Sequence, residues 1–368
     1  MRTPDWHTQI VAWVVNLLTG YRRSQRKTVA EVVFGAMRCR RVSLADVGRA
    51  METGTLPKYN IKRVWRLLRN GRVEVVEGMR VLTALVARAS GGRLVIAVDW
   101  VEVGAYHVLR AAVPLRGRSV PLAFAAYHPG ALFRSQNALE EGFFVLLQAL
   151  LPRGVHAVVL ADRGFARAEL ARHLEGLGLH YIIRVVAQVR FESPAYQGLL
   201  SELGLCPGEH RDLGVGLYRD ERPVARRVVA FWERGQLELL LLATNLDWAP
   251  RRLVKTFRLR MSIEELFRDE KNVRYGWGLR QFSVSSPARL ERMFLVLVLA
   301  YLALLLFGLL CLARFPSGYW AASSSRKRRQ TSAFVVGRHM LHLFCPSIPS
   351  LLRLLATLLR TPASQNWG

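Results

Sequence analysis

Acidic residues are scarce in this sequence. It contains 27 Asp and Glu against 53 Lys and Arg, and no acid lies beyond Arg314. The net charge of +26 predicts a polyanionic partner, which is either a nucleic acid or an anionic membrane surface. Only six of the basic residues are Lys. Biased codon usage can explain arginine in place of lysine, but it does not explain the deficit of acids.

Cysteine is also scarce. The four cysteines, Cys39, Cys206, Cys311 and Cys345, form no Cys-x-x-Cys pair. This pattern excludes a disulfide scaffold and a zinc ribbon, and it indicates a reducing compartment. The N-terminal residues lack an apolar signal core with a cleavage site. We therefore expect a cytoplasmic protein.

One long uncharged run allows two interpretations. Residues 293–313 form a stretch of 21 residues without a charge, which is the length of a membrane span. The alternative is a buried helix of a large α/β core. Apolar residues make up 51% of the chain, which excludes a disordered protein, and the remaining pattern favours the buried helix.

The first 90 residues are predicted to be helical and basic, with 17 basic residues against six acids. Ser43 can cap a short helix over 44–51, and a turn at 53–57 leads into an amphipathic helix over 61–70. Its apolar face contains Ile61, Val64, Trp65 and Leu68, and its basic face contains Lys62, Arg63, Arg66 and Arg69. The pattern suggests a helix-turn-helix that binds DNA. An ordinary solvated helix face is the alternative.

A change of pattern near residue 93 predicts an α/β core with a mixed sheet. The predicted strands are 94–99, 106–113, 119–126, 155–162 and 181–185, and the predicted helices are 135–151 and 167–175. The order is therefore β-β-β-α-β-α-β. A hairpin follows at 224–232 and 236–244, and a long charged helix runs from Pro250 to about residue 272.

These patterns divide the chain into five regions. We predict a helical DNA-binding region at 1–90, the first part of the core at 91–185 and a β-rich insertion at 186–248. The second part of the core covers 249–313 and carries the charged helix. A basic helical tail covers 314–368, and an exposed linker is predicted at 323–329.

Two aspartates follow the buried strands of the predicted core. Asp99 ends one continuous apolar run and Asp162 ends another, and such runs are typical of central parallel strands. If the two strands are neighbours, the carboxylates meet at one edge of the sheet. Their repulsion is usually compensated by a divalent cation, and Mg²⁺ prefers such oxygen ligands. Alternatively, each aspartate is only a turn residue or a helix cap.

The charged helix after Pro250 supplies a third carboxylate. Arg260, Glu264 and Lys271 fall within about 40° of one another on an α-helix, and Phe257 lies about 60° from Arg260. A carboxylate flanked by two cations suits a metal ligand beside phosphate-binding groups. A solvated face of ion pairs is the alternative, because acids are common in this segment.

At these motifs the sequence resembles the insertion-sequence DDE transposases whose third motif is Tyr, two residues, Arg, three residues, Glu, six residues and Lys. The spacing is intact here, with Phe257 in place of the tyrosine and Met261 where relatives often have tryptophan. The short sequence segments at 97–100, 161–165, 243–246 and 262–268 also resemble those of the family. The resemblance covers roughly residues 43–313.

The resemblance implies a ribonuclease-H-like fold and a metal triad, which by position is Asp99, Asp162 and Glu264. It also implies that Arg260 and Lys271 hold phosphates at the transposon end, with the ring of Phe257 packed beside them. Two Mg²⁺ ions, for which Mn²⁺ can substitute, would activate water or a DNA 3′-hydroxyl and stabilise the leaving oxygen. No organic cofactor is expected.

The implied function is a DNA transposase that cleaves its element's ends and joins them to target DNA. The expected partner is double-stranded DNA, both terminal inverted repeats and target, bound by a homodimer in the nucleoid of a bacterial cytoplasm, without a membrane. A domesticated or catalytically silent relative that regulates by binding DNA is the alternative.

The resemblance further implies that a base near the cleavage site is splayed out and stacked on an aromatic side chain. Trp232, on the predicted hairpin, is the first candidate and Trp248 is the second. The alternative is that Trp232 packs into the apolar face of its own hairpin with Val228, Ala230 and Leu240.

Overall fold

The computed structural model describes residues 5–218, 224–236, 238–315 and 331–360. These residues form a mixed α/β fold built on one sheet, in the spatial order β3-β2-β1-β4-β5-β10-β9-β8-β6-β7. The strands are β1 (Arg93–Val103), β2 (Tyr106–Leu115), β3 (Arg118–Tyr127), β4 (His156–Ala161), β5 (His180–Arg184), β6 (Arg190–Ser193), β7 (Tyr196–Leu199), β8 (His210–Tyr218), β9 (Val224–Phe231) and β10 (Leu240–Thr244).

The helices flank this sheet. They are α1 (Trp6–Leu17), α2 (Arg23–Arg38), α3 (Leu44–Ala50), α4 (Pro57–Arg69), α5 (Val75–Ser90), α6 (Pro129–Leu150), α7 (Ala168–Gly176), α8 (Pro250–Phe257), α9 (Met261–Lys271), α10 (Pro287–Arg314), α11 (Ala333–His339) and α12 (Ile348–Arg360). The predicted β-β-β-α-β-α-β order of the core is confirmed. The predicted linker at 323–329 lies outside the described residues.

The first three strands form an antiparallel meander, and β4 and β5 then add to β1 in parallel. Parallel strands need crossover connections, and α6 and α7 supply them. Two boundaries differ from the prediction. Strand β1 runs beyond Asp99 to Val103 because its last residues pair with β2. Helix α6 begins at Pro129, and Ser135, predicted as its cap, is instead a non-helical residue within it, with φ of −154°.

Residues 186–248, predicted as an insertion, continue the main sheet. Strands β6 to β9 lie beyond β10, and β10 pairs antiparallel with both β5 and β9. The predicted β9–β10 hairpin is present, but its first strand, β9, ends at Phe231 and its second strand, β10, begins only at Leu240. Its connection is therefore longer than the sequence pattern indicates.

The charged helix predicted from Pro250 to residue 272 is interrupted. Helix α8 ends at Phe257, a 3₁₀ turn covers Arg258–Arg260, and α9 begins at Met261. The 3₁₀ turn is more tightly wound than an α-helix, so the faces of α8 and α9 are not in one continuous register. Angles calculated for a single ideal helix therefore do not apply across Arg260.

The N-terminal helices α3 and α4 lie where the helix-turn-helix pattern predicts two helices, and Ser43 accepts the predicted cap hydrogen bond from the N–H of Asp46. The predicted apolar face of α4 is wrong at one position. Trp65 is 41% exposed, whereas Leu67 is buried. The guanidinium of Arg69 lies 4.4 Å from the centre of the Trp65 ring, so the indole supports a cation at the surface.

The long apolar helix α10 has the length and composition of a membrane span, but it is buried over most of its length within the fold. It packs against α2, α11, α12 and β3. Its contacts are those of a central core helix, as the α/β interpretation of residues 293–313 predicts.

Helices α10 and α11 cross at a pair of glycines. A Cβ atom added at Gly308 would overlap the carbonyl oxygen of Ala333, and one added at Gly337 would overlap that of Leu304. Glycine is required here because the two backbones are in direct contact. This crossing attaches the C-terminal part of the chain to the helix behind the sheet.

We expect Gly308→Ala to lower the free energy of unfolding by about 1–3 kcal/mol, because the added methyl forces α10 and α11 apart. Gly142→Ala is the matched control. Gly142 is also helical, and a Cβ there meets no atom within 4 Å. That change should instead stabilise the protein by about 0.5–1 kcal/mol. Urea denaturation followed by circular dichroism measures both free energies of unfolding. Equal changes in the two variants would contradict the close contact between the backbones of α10 and α11.

Candidate active site

The two aspartates lie beside each other on adjacent strands. Strands β1 and β4 are parallel neighbours, and Ala97 is in register with Leu160. Asp99 and Asp162 each follow that pair by two residues, so both lie at the same end of the sheet. The prediction that the two apolar runs are neighbouring parallel strands is confirmed. The side chains of Asp99 and Asp162 are 25% and 32% exposed.

One arginine contacts all three candidate carboxylates. Nη1 of Arg260 lies 3.3 Å from Oδ2 of Asp99. Its Nη2 lies 3.6 Å from Oδ2 of Asp162 and 2.9 Å from Oε1 of Glu264. Only 8% of the Arg260 side chain is exposed. The guanidinium therefore forms a buried cationic centre that joins β1, the end of β4 and α9.

Two neighbours of Arg260 complete its surroundings. The ring centre of Phe257 lies 6.0 Å from its guanidinium carbon, and its Nη2 lies 3.4 Å from the sulfur of Met261. Phe257 is buried. The two residues that depart from the transposase signature are thus an aromatic ring and a thioether beside the arginine, and neither supplies a charged ligand.

The electrostatics of Asp99 follow from this enclosure. Burial raises the pKa of Asp99 from its ordinary value of 3.8 to about 6, and the neighbouring charges of Glu264 and Asp162 also raise it. The Arg260 guanidinium and the N–H of Trp100, which donates to Oδ1 of Asp99 at 2.8 Å, lower the pKa and limit that rise. Asp99 therefore ionises near neutral pH, and a nearby cation favours the ionised form.

The donor atoms of this site suit a hard divalent cation, although they do not enclose one. Within the described ranges, no group of three His, Cys, Asp or Glu side chains has a metal-binding arrangement. The three carboxylates face Arg260 instead. Oδ1 of Asp162 is buried without a hydrogen-bond partner, which leaves an acceptor available in the site. An all-carboxylate oxygen set with a free acceptor fits Mg²⁺ or Mn²⁺ chemically.

A second buried ion pair holds α9 against the sheet. Arg110 of β2 makes two parallel bonds to Glu270, at 2.9 and 3.1 Å, and both residues are almost completely buried. Arg110 is the register partner of Asp99. The pair therefore connects the strand beside Asp99 to the helix that carries Glu264. The sequence signal for Arg110 is a single charge inside an otherwise apolar strand.

A third arginine adds to this attachment. Arg118 of β3 lies 2.9 Å from Oδ2 of Asp269 and 3.0 Å from Oε2 of Glu265, and the Tyr301 hydroxyl donates to Asp269 at 2.9 Å. The acids that flank Glu264 in sequence are thus engaged in holding α9. Glu264 is the acid of this helix that faces Arg260.

Lys271 lies at the C-terminal end of α9, away from the carboxylate cluster. Within the described part of the chain, no carboxylate lies within 4.0 Å of its ammonium. Burial, followed by the charge of Arg280, lowers the pKa of Lys271, and Glu102 at the end of β1 opposes that shift. The structure therefore places Lys271 near the outer end of β1 rather than among the three carboxylates.

The two tryptophan candidates have different surroundings. Trp232 is partly buried against the apolar cluster of the β6–β9 region, which includes Val228 and Ala230, and its Nε1 donates to the carbonyl of Gln236 at 3.0 Å. These contacts favour the packing alternative. Trp248 stacks under the guanidinium of Arg252, 3.7 Å from its ring centre.

The basic face of α4 is open to solvent. Lys62, Arg66 and Arg69 are exposed, and Arg63 is partly buried. Because Trp65 and Arg69 lie together on this face, it offers both cations and an aromatic surface. Such a combination suits a nucleic-acid backbone.

Comparison with known families bears on this site. Residues 133–303 match the model of the family described as transposase DDE domain. The matched segment contains Asp162, Phe257, Arg260, Glu264 and Lys271, whereas Asp99 precedes it. No curated protein matches the chain. The match confirms the resemblance to the insertion-sequence DDE transposases.

We expect Arg260→Met to lower the free energy of unfolding of the metal-free protein by about 1–3 kcal/mol, because it leaves the carboxylates without their cation. Chemical denaturation in a chelating buffer at pH 8 measures the change. Arg258→Met is the control, since Arg258 makes a half-exposed pair with Glu233 at 2.7 Å. That change should cost about 0–1 kcal/mol.

The loss in Arg260→Met should depend on pH. Because the pKa of Asp99 in the folded protein, about 6, lies above its ordinary value of 3.8, ionisation of Asp99 removes stability as the pH rises through that interval. At pH 5 Asp99 is largely neutral, so its ion pair with Arg260 contributes less to the free energy of unfolding. We therefore expect a smaller loss at pH 5 than at pH 8. An equal loss at both pH values would contradict the electrostatic role of Arg260.

Proposed function

We propose that this chain is the DNA transposase of an insertion sequence, which cleaves the ends of its element and joins them to target DNA in a metal-dependent reaction. The observation that carries the proposal is the convergence of Asp99, Asp162 and Glu264 on one buried cation, within a chain that contains a transposase DDE domain. Three carboxylates from separate elements have little reason to converge in a protein that only binds DNA.

The topology supports a ribonuclease-H-like core. Its signature would be the antiparallel meander β3-β2-β1 followed by the parallel strands β4 and β5, which the sheet order contains. Residues 91–185 and 249–313 would form this core, and 186–248 would be an insertion between its parts. Residues 1–90 would form the DNA-binding region and 314–368 the basic tail.

Asp99, Asp162 and Glu264 would hold the divalent ions, two Mg²⁺ or in their place Mn²⁺. Bound there, such ions activate a hydroxyl nucleophile and stabilise the leaving oxygen of a phosphodiester. Because the pKa of Asp99 is about 6, its carboxylate is mostly ionised at neutral pH and is available as a ligand. In the metal-free state the Arg260 guanidinium neutralises part of this charge.

Arg260 and Lys271 would hold phosphates of the transposon end. Arg260 presents a planar group with several donors, which suits a phosphate once its contacts with the carboxylates are released. Lys271, further along α9, would contact the strand beyond the cleavage site. The buried ring of Phe257 would keep Arg260 oriented through its face.

Double-stranded DNA would be the partner, as terminal inverted repeat and as target. The exposed basic face of α4 supports this proposal, with Lys62, Arg66 and Arg69 as its contacts and Arg63 at its margin. An element has two ends, so two copies of the chain on DNA would bring them together.

Trp232 and Trp248 remain candidates for stacking on a splayed base. The reaction would take place at the nucleoid in the cytoplasm.

A catalytically silent DNA-binding regulator is the alternative function. No observation favours it, because all three carboxylates are present and meet at one place. The two functions separate in one assay. Cleavage of a duplex that carries the element's terminal repeat, by purified protein with Mg²⁺ or Mn²⁺, supports the transposase, whereas binding without cleavage under both metals supports the regulator.

We expect Asp99→Asn, Asp162→Asn and Glu264→Gln each to abolish cleavage of repeat DNA and to leave DNA binding nearly unchanged. The loss of cleavage should exceed the loss of about 10–100-fold that is typical when a residue that only orients a metal ligand is changed. Each change removes a ligand charge but little volume. Gel assays of cleavage and binding measure the two properties. Glu265→Gln is the control, since Glu265 pairs with Arg118 and Arg268. Loss of cleavage in that variant alone would contradict the assignment of Glu264.

We expect Lys62→Ala, Arg66→Ala and Arg69→Ala each to weaken binding to the repeat and to reduce the slope of log affinity against log salt by about 0.9. The full chain should be used, because α2 and α4 pack against α10. Arg80→Ala is the control, since Arg80 lies on α5 and pairs with Glu77. Salt slopes that stay the same in all three variants would exclude the α4 face as the DNA contact.

A further inference from the structure

Glu140 of α6 is a buried carboxylate that lies behind the active site. Only 1% of the residue is exposed. Its Oε1 accepts hydrogen bonds from Nε1 of Trp100 and Nε2 of Gln136, both at 3.0 Å. Its Oε2 accepts one from Nη1 of Arg167 at 2.6 Å. A buried carboxylate with one cationic and two neutral donors is held in a single orientation.

The first of these contacts leads to Asp99. Trp100 directly follows Asp99 in β1, and its main-chain N–H donates to Oδ1 of Asp99 at 2.8 Å. Successive side chains of a strand point to opposite faces of the sheet. Glu140 therefore holds the indole of Trp100 on one face, while the main chain of Trp100 orients the Asp99 carboxylate on the other.

The second contact leads to Asp162. Arg167 ends the short segment that follows Asp162 and contains the 3₁₀ turn Arg163–Phe165. Besides Glu140, Arg167 contacts the side chain and carbonyl of Asn137, at 2.7 and 3.0 Å, and Oε1 of Glu141 at 3.2 Å. Its side chain is only 12% exposed. The segment after Asp162 is thus fastened to the same turn of α6 that holds Trp100.

We propose that Glu140 is a positioning residue for the two aspartates. It joins the residue after Asp99 to the segment after Asp162, and so fixes the distance and orientation between their carboxylates. This inference rests on the proposed function, because the pair has a chemical role only as ligands of a divalent ion. Residues that orient metal ligands typically contribute about 10–100-fold to metal affinity.

The test measures Mn²⁺ binding to the full-length protein without DNA, by electron paramagnetic resonance of the free ion. Glu140→Gln keeps the side-chain shape but removes the charge that holds Arg167, and we expect about 10–100-fold weaker binding. Trp100→Phe keeps a ring but removes the Nε1 donor, and it should weaken binding in the same direction. The double variant should lose less than the sum of the two free-energy changes, because both remove one connection.

Glu141→Gln is the matched control. It removes the other carboxylate that contacts Arg167 but leaves the bond to Trp100, and we expect Mn²⁺ affinity to change by no more than about twofold, the size of an exposed ion pair. Thermal unfolding of each variant is recorded in parallel, so that a loss of affinity is compared with a loss of stability.

Unchanged Mn²⁺ affinity in Glu140→Gln, with a lower melting temperature, would show that Glu140 is only structural and would overturn the inference. If Glu140→Gln does not fold, unchanged affinity in Trp100→Phe would overturn it equally. A wild-type protein that binds no Mn²⁺ would contradict the proposed function as well. Wild-type binding with unaffected variants would contradict the positioning role alone.

Discussion

The Arg260 guanidinium, buried among three carboxylates, is the contact on which the rest of the site depends. Asp99 comes from β1, Asp162 from the end of β4 and Glu264 from α9, so three separate elements meet at one side chain. Two carboxylates about 4 Å apart repel by about 4 kcal/mol at an effective dielectric constant of about 20. The Arg260 guanidinium offsets most of that repulsion, and it allows the three acids to converge.

The surrounding structure can be understood as support for this cluster. Buried charged pairs, rather than apolar contacts alone, fix the elements that carry the acids. Arg110 and Glu270 hold α9 to β2, and Glu140 and Arg167 hold the segment after Asp162 to α6. Such pairs contribute little net stability, but they penalise any misplacement strongly, because a displaced partner leaves a buried charge unpaired. Helix α10 packs behind the first of these pairs, where the ring centre of Phe294 lies 4.4 Å from the Arg110 guanidinium.

The sequence predicts the strands and the site because both depend on local pattern. Apolar runs that end in aspartate identify β1 and β4, and the spacing from Phe257 to Lys271 identifies the acid of α9. The sequence pattern does not predict the break between α8 and α9, because the residues of the 3₁₀ turn are ordinary helix formers. Periodicity predicts Trp65 on the apolar face, and this is wrong, because periodicity does not reveal which side of a helix faces another element. A charge within an apolar strand marks Arg110, but local pattern does not reveal its partner Glu270 or the pairing of Glu140 with Arg167, because the residues of each pair lie far apart in sequence.

The measurement that tests this account most directly is a crystal structure of the chain with Mn²⁺ and a duplex of its terminal repeat, with the metal located by anomalous scattering. We predict manganese signal among Asp99, Asp162 and Glu264, with the Arg260 guanidinium moved away from the carboxylates and onto a DNA phosphate. Manganese bound elsewhere, or Arg260 still between the three carboxylates beside bound DNA, would contradict it.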